Sequence, residues 1–153
     1  MISPVNMTAS HLEEGVDVTS GARVLECVVV TPEETTLQTP AQFIALPLFD
    51  GEIGIAPGRA PLIGRLGCGE MRIREGNNLY RYYVDGGFVE VSGNMVSILT
   101  QRAIAAEQLD RAEIEAALTT AQQKPANTPE LMAIRDRAVA QARGQQWVTR
   151  GLG

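Results

Sequence analysis

Between Leu46 and Gly69 the chain reads LPLFDGEIGIAPGRAPLIGRLGCG, with glycine or proline interrupting every short apolar run. Intervals this tight exclude a helix and force repeated reversals of an extended backbone. Gly51, Gly54, Gly58, Gly64, Gly67 and Gly69 supply the conformations that tight turns and bulges need. Pro47, Pro57 and Pro61 fix φ and remove donors, which confines them to edges and turns. The runs between them read as strands of a compact sandwich.

The flanking segments extend this pattern. Arg23 to Val30, RVLECVVV, is rich in β-branched residues and is closed by the turn signature Thr31-Pro32-Glu33-Glu34. Gln42 to Leu48 is a second apolar run. In Glu70 to Glu75, EMRIRE, Met71 and Ile73 share one face, and Glu70, Arg72 and Arg74 share the other, which is expected to meet solvent. Gly76-Asn77-Asn78 then offers a hairpin turn before a strand from Leu79 to Val84. Tyr80, Tyr82 and Tyr83 lie in that strand without an accompanying basic cluster, so core and cross-strand packing is expected of them rather than nucleotide stacking.

After Thr100 the composition shifts to strong helix formers, and the β region is expected to end near Ala106. Asp110 and Glu113 form a capping-box-like start, followed by an apolar stripe of Ile114, Ala117, Leu118 and Ala121. Lys124-Pro125-Ala126-Asn127 breaks the helix. Thr128 as N-cap and Pro129 at the first helical position begin a second one, with a stripe of Leu131, Ile134, Ala138 and Ala142 before Gly144. Both stripes are narrow and alanine-rich, which suits an element that detaches at low cost. Residues 107–124 carry four acids and two bases, and residues 130–150 two acids and four bases, so antiparallel helices would complement each other. The expected fold class is β+α, an N-terminal antiparallel β-sandwich followed by a C-terminal α-helical hairpin. Its expected segments are an acidic, mobile leader (1–21), a β-sandwich docking domain (22–106), the hairpin (107–146) and a tail (147–153).

Composition excludes several functions. The formal charge is −5, from 18 acids and 13 bases, with no clustered basic face for nucleic acid. No run approaches the roughly 18 apolar residues of a membrane span, so no direct membrane insertion is expected. The leader has Glu13, Glu14 and Asp17 but no Lys or Arg, unlike a secretory signal or an organelle presequence. Cys27 and Cys68 lie far apart outside any metal-ligand spacing and read as reduced packing thiols, and with His11 the lone histidine no metal set is expected. That histidine falls in the leader, which leaves no base for a nucleophilic pair, and the glycines match no phosphate-cradling motif. No catalytic residue and no cofactor are expected.

Gly51-Glu52-Ile53-Gly54-Ile55, Pro57-Gly58 and Ala60-Pro61-Leu62, followed by Gly86-Gly87-Phe88-Val89-Glu90-Val91 and Val96-Ser97-Ile98-Leu99, fall in the order found in the epsilon subunit of F-type ATP synthases. The chain resembles that family from about residue 22 to residue 145. Two positions depart from it: Arg59 stands where the family usually shows histidine, and Ala56 where a larger residue is common. The resemblance implies a non-catalytic central-stalk subunit of a proton-translocating ATP synthase at the cytoplasmic face of a bacterial inner membrane. It implies a monomer within the complex, docked on the gamma subunit and the membrane c-ring, with transient contact to the catalytic beta subunits. It places Asp50, Glu52 and Arg59 in turns facing the c-ring. It also implies an inhibitory second helix carrying Arg135, Arg137 and Arg143. Some family members bind ATP through [IL]DxxRA; here the matching place reads Leu109-Asp110-Arg111-Ala112-Glu113-Ile114, so carboxylate replaces guanidinium and no ATP binding at millimolar concentration is expected.

Two other classes compete. A cupin-like β-sandwich enzyme would need clustered histidines that the chain lacks. A free-standing β-sandwich adaptor shares the same physics and is separated from the stalk reading by whether the chain co-elutes with a gamma subunit.

Overall fold

The computed structural model describes residues 23–150, so the expected leader (1–21) and His11 lie outside the described residues. Eight strands are followed by two helices: β1 (Leu25–Val30), β2 (Thr35–Ala41), β3 (Phe43–Leu48), β4 (Gly51–Ile55), β5 (Leu62–Glu75), β6 (Asn78–Ser92), β7 (Met95–Leu99), β8 (Ala103–Ala105), a 3-10 turn at Ala106–Gln108, α1 (Arg111–Gln122) and α2 (Pro129–Arg150). The sandwich-then-helices order matches the expectation.

The sandwich is one hydrogen-bonded sheet folded over on itself, in the order β2-β1-β7-β6-β5-β3-β4, with β8 added to β6. The two longest strands make the fold-over possible. Residues 62–66 of β5 pair with 87–91 of β6 in the first layer, and residues 68–75 pair with 78–85 in the second. The core-facing positions change parity between the halves. In β6 they are Val89 and Val91 on one side of the bend and Val84 on the other; in β5 they are Leu66 and then Met71 and Ile73. A regular strand cannot change parity. Gly86 (φ 70°) and Gly87 (φ 109°) make the change in β6.

One pairing is parallel. β1 lies between β2, antiparallel to it, and β7, parallel to it, and Val28 stands opposite Ser97. Between the layers Leu25, Cys27, Val29, Ile44, Leu46, Ile55, Met71, Ile73, Val84, Val89, Val91, Val96 and Ile98 form a continuous apolar core. Tyr80 and Tyr82 pack against that core, and Tyr83 belongs to a second small cluster with Ala106 and Val148, as the packing reading of these tyrosines requires.

The helix starts follow local chemistry. Asp110 caps α1, accepting hydrogen bonds from the Ala112 and Glu113 amides. Thr128 Oγ1 accepts from the Leu131 amide at 3.1 Å, ahead of Pro129 at the first position of α2. The end of α2 differs from expectation: instead of stopping before Gly144 and leaving a tail from 147, it runs to Arg150, burying Val148 and Thr149. Packing against the sheet overrides the low helix propensity of Gly144. The α2 stripe shifts with it, so that Ile134 is exposed, whereas Ala142, Gly144 and Val148 are buried. In α1, Ile114 and Ala121 are buried and Ala117 is exposed.

Candidate functional site: two outer faces of the sandwich

The two outer faces of the sandwich are chemically different. On the first layer, cross-strand partners share a face, so Ile63 and Arg65 of β5, Phe88 and Glu90 of β6, and Met95, Ser97 and Leu99 of β7 lie side by side. Ile63 is 76% exposed, and Phe88 and Leu99, directly opposite one another, are both more than half exposed. Phe49 adjoins them, its ring 4.4 Å below the Arg65 guanidinium. Isolated exposed apolar residues are ordinary, but four large ones around a single arginine on one rigid sheet mark an interaction surface.

On the second layer, α2 covers the outer face. Glu70, expected in solvent, is buried there between Arg81 and Arg72, because the helix lies over it. Arg81 donates its Nε to Glu70 at 2.6 Å and an Nη2 hydrogen to the Val148 carbonyl at 2.8 Å. A buried carboxylate demands such partners. Asp85, first residue of the DGGF motif, is also buried, its amide donating to Thr100 Oγ1 at 3.0 Å. Its carboxylate accepts from Cys68 Sγ, Arg102 Nε and the Gln141 side-chain amide, at 3.1–3.4 Å. Burial, followed by the Asp85 carboxylate, pushes the Cys68 thiol up to about 11, while Tyr83 and the Arg137 charge offset part of that rise. Cys27 is pushed up to about 12 by burial and then by Glu26, and both cysteines are free thiols. Nothing in the local sequence around Asp85, Glu70 or Gln141 signals this cluster. The β5–β6 pairing sets Glu70 and Asp85 on one face, and the covering helix adds Gln141 to them.

The expected site residues are distributed along both elements. Asp50 is exposed in the β3–β4 turn and Arg59 is exposed beyond the other end of β4, while Glu52 lies within that edge strand and pairs with Arg72 at 3.5 Å. A strand of five residues separates the two turns by about 17 Å, so a surface using all three must run along β4. In α2, Arg135 pairs with the adjacent Asp136. At 100° per residue Arg143 lies within about 80° of Arg135, and Arg137 about 160° away, so the helix does not gather the three arginines on one face. A groove of about 590 Å³ runs between α1 and α2 down to Ile104 of β8, and its lining includes Asp110, Glu113, Arg102, Lys124 and Gln141.

Residues 24–106, which include both the fold-over and the apolar face, match the family described as ATP synthase, Delta/Epsilon chain, beta-sandwich domain. The chain belongs to this family. It is 50% identical over 121 residues to the ATP synthase epsilon chain of Rhodopirellula baltica, an alignment covering 79% of this chain and 94% of that one. To the ATP synthase epsilon chain of Cyanothece sp. it is 40% identical over 96 residues, 63% of this chain and 70% of the other. The fold is shared with a chain of the Euglena gracilis mitochondrial ATP synthase, with a TM-score of 0.71 at 24% identity, covering 85% of this chain and 82% of that one. It is shared also with a chain of the Tetrahymena thermophila mitochondrial ATP synthase central stalk and c-ring, with a TM-score of 0.60 at 18% identity, covering 84% and 98%. This epsilon-type chain is a non-catalytic stalk subunit of an ATP synthase. Among the described residues, no helix is long and apolar enough to cross a membrane, and no group of three or more His, Cys, Asp or Glu side chains could hold a metal ion.

Proposed function

We propose that the sandwich couples this subunit to the rotor through the gamma subunit and the c-ring, and that the hairpin regulates ATP hydrolysis. The observation that carries the docking half is the exposed apolar face around Ile63, Phe88 and Leu99, a rigid surface with the composition of an interface core. The polar edge along Asp50, Glu52 and Arg59 suits the rim of a c-ring contact, with Arg59 contributing a permanent charge. Arg135, Arg137 and Arg143 point outward in several directions from α2, which suits transient contact with acidic surfaces of the beta subunits once the hairpin is released. The bacterial relatives support a position at the cytoplasmic face of a bacterial inner membrane.

The test is capture of a gamma subunit by the full chain and by Ile63→Glu with Phe88→Glu, followed by hydrolysis assays on the reconstituted complex. The expected result is gamma capture by the parent chain and its loss in the double variant, with an unchanged melting temperature. Failure of the parent chain to capture gamma would return the adaptor reading. For the hairpin, Arg135→Glu with Arg143→Glu raises hydrolysis while gamma capture persists. Substitution is preferable to truncation after Ala106, which would uncover buried Glu70 and Tyr83. Glu113 lining the groove opposes a phosphate, and calorimetric titration detecting a sub-millimolar ATP site would overturn the expectation of no ATP binding.

A further inference from the structure

Three outward-facing residues of β6, Arg81, Tyr83 and Asp85, meet three positions of α2 in turn. Asp85 accepts from the Gln141 amide at 3.1 and 3.2 Å. Tyr83 lies so close to Gly144 that a Cβ added there would be 3.1 Å from its ring and 3.0 Å from the Cys68 carbonyl oxygen. Arg81 donates to the Val148 carbonyl at 2.8 Å. Alternate strand residues recur about every 6.8 Å, and helix positions three or four apart recur every 4.5–6 Å, so the two ladders stay in step over three contacts. The last contact uses a carbonyl in the last described turn of α2, where a cation is favourable. By contrast, the first turns of α2 leave Met132 and Ile134 exposed.

We propose that Asp85–Gln141, Tyr83–Gly144 and Arg81–Val148 form a three-point latch that fixes the register of α2 on the sandwich and sets how readily the hairpin is released. Every tooth requires a particular group: an amide facing a carboxylate, the absence of a side chain where the helix crosses the sheet, and a guanidinium within reach of a helix end. Arg111 of α1 donates to the neighbouring Thr149 carbonyl at 2.8 Å, a bond within the hairpin that release of the hairpin as a unit leaves intact. Arg81, Gln141 and Gly144 are therefore positioning residues for the docked state. The regulatory consequence rests on the proposed role of the hairpin in hydrolysis; the latch itself does not.

Cys68 reports the latch directly, because it lies half-buried beneath α2, whereas Cys27 is fully buried in the sandwich core. The experiment measures maleimide labelling of the isolated full chain as purified, for the parent, Gln141→Glu, Gly144→Val, Arg81→Lys and the solvent-face charge control Ala140→Glu. Gln141→Glu sets carboxylate against carboxylate. Loss of one charge-assisted hydrogen bond shifts an opening equilibrium by about tenfold or more, so Cys68 labelling should accelerate by that factor in Gln141→Glu and Gly144→Val. It should rise less in Arg81→Lys, which keeps a cation for Glu70, and not at all in Ala140→Glu. Cys27 should remain unlabelled throughout; a variant that labels Cys27 has lost the sandwich, and the result is then read from the others. Parent-like Cys68 rates in the variants that protect Cys27 overturn the latch. Hydrolysis by complexes reconstituted with the same variants separates the two ideas: faster labelling with unchanged hydrolysis keeps the latch and refutes the regulatory role of the hairpin.

Discussion

Gly87→Ala tests the origin of the fold-over. A Cβ at Gly87 would stand 1.8 Å from the Leu99 carbonyl oxygen, 2.8 Å from its carbon and 2.9 Å from the Thr100 Cα. All three are backbone atoms, so no side-chain rotation relieves the overlap; β7 must move away from β6. That movement opens the Phe88–Leu99 pair and pulls Thr100 Oγ1 from the Asp85 amide. The positive φ contributes about 1–3 kcal/mol of strain, and two weakened hydrogen bonds contribute about 1 kcal/mol each. The expected loss is about 3–5 kcal/mol, or a fall of about 2 M in the urea midpoint at a typical slope for a chain of this size. Gly86→Ala and Gly93→Ala are the controls: both glycines have positive φ and nothing within 4 Å of an added Cβ. Each control should cost only about 1–2 kcal/mol, from backbone conformation alone. Urea unfolding followed by circular dichroism decides the matter. A Gly87→Ala midpoint equal to that of Gly86→Ala would show that the close approach to Leu99 does not hold the bend, and the reasoning would fail.

Other outcomes follow from the same contacts. The folded-state pKa values of Cys27 and Cys68, about 12 and about 11, exceed those of exposed thiols, so stability is complete below about pH 8.5 and falls as pH rises toward 11. The fully buried Cys27 contributes a slope of up to about 1.4 kcal/mol per pH unit and the half-buried Cys68 less, so Cys27→Ala should remove the larger share in urea titrations between pH 8 and 11. Asp110→Ala removes the Oδ1 that accepts from two amides at the start of α1 and should cost about 1 kcal/mol; faster hydrogen exchange at Ala112 and Glu113 is its local readout. Ile63→Glu alone should weaken gamma capture at least tenfold, measured by interferometry, with less than about 0.5 kcal/mol change in stability because the site is solvent-exposed in the free chain.

What the sequence disclosed was what local chemistry controls. Alternation located the β5 segment around Met71 and Ile73, glycine placed the turn at Gly76, and Asp110, Thr128 and Pro129 announced the helix starts. β2 went unseen because Thr35 to Ala41 has little apolar pattern and contains Pro40; it is an edge strand paired only with β1, where a missing donor is tolerated. Pro47 similarly sits where the β3–β5 register skips between Ala45 and Leu48. Gly144 misled as a stop signal because its role is steric: it admits the Cys68 backbone rather than ending the helix. Glu70 misled through period-two reasoning that assigns the non-core face to water, whereas a helix from far along the chain covers that face. The turn residues Asp50 and Arg59 were legible as turns, but their spacing along β4 emerged only in three dimensions.

The difference between the two outer faces follows from how each could be exposed. An apolar surface such as that around Ile63, Phe88 and Leu99 is stabilised at every contact by removal from water, at about 25 cal/mol per Å², and has no polar group that must be satisfied when a partner leaves. It suits a contact held through every rotation. The face under α2 is the reverse: Glu70, Asp85 and the last carbonyls of the helix each require a partner, but Arg81, Arg102 and water can supply those partners when the helix moves away. Release then exchanges hydrogen bonds instead of exposing a core, because the principal apolar contribution of α2 to the sandwich is Val148 beside Tyr83 and Ala106. Leucines at Glu70 and Arg81 would remove the Arg81–Val148 hydrogen bond along with the buried ion pair, so Cys68 labelling should rise above the parent rate. Slower labelling in that variant would mean that apolar burial, rather than the polar contacts, holds the helix down.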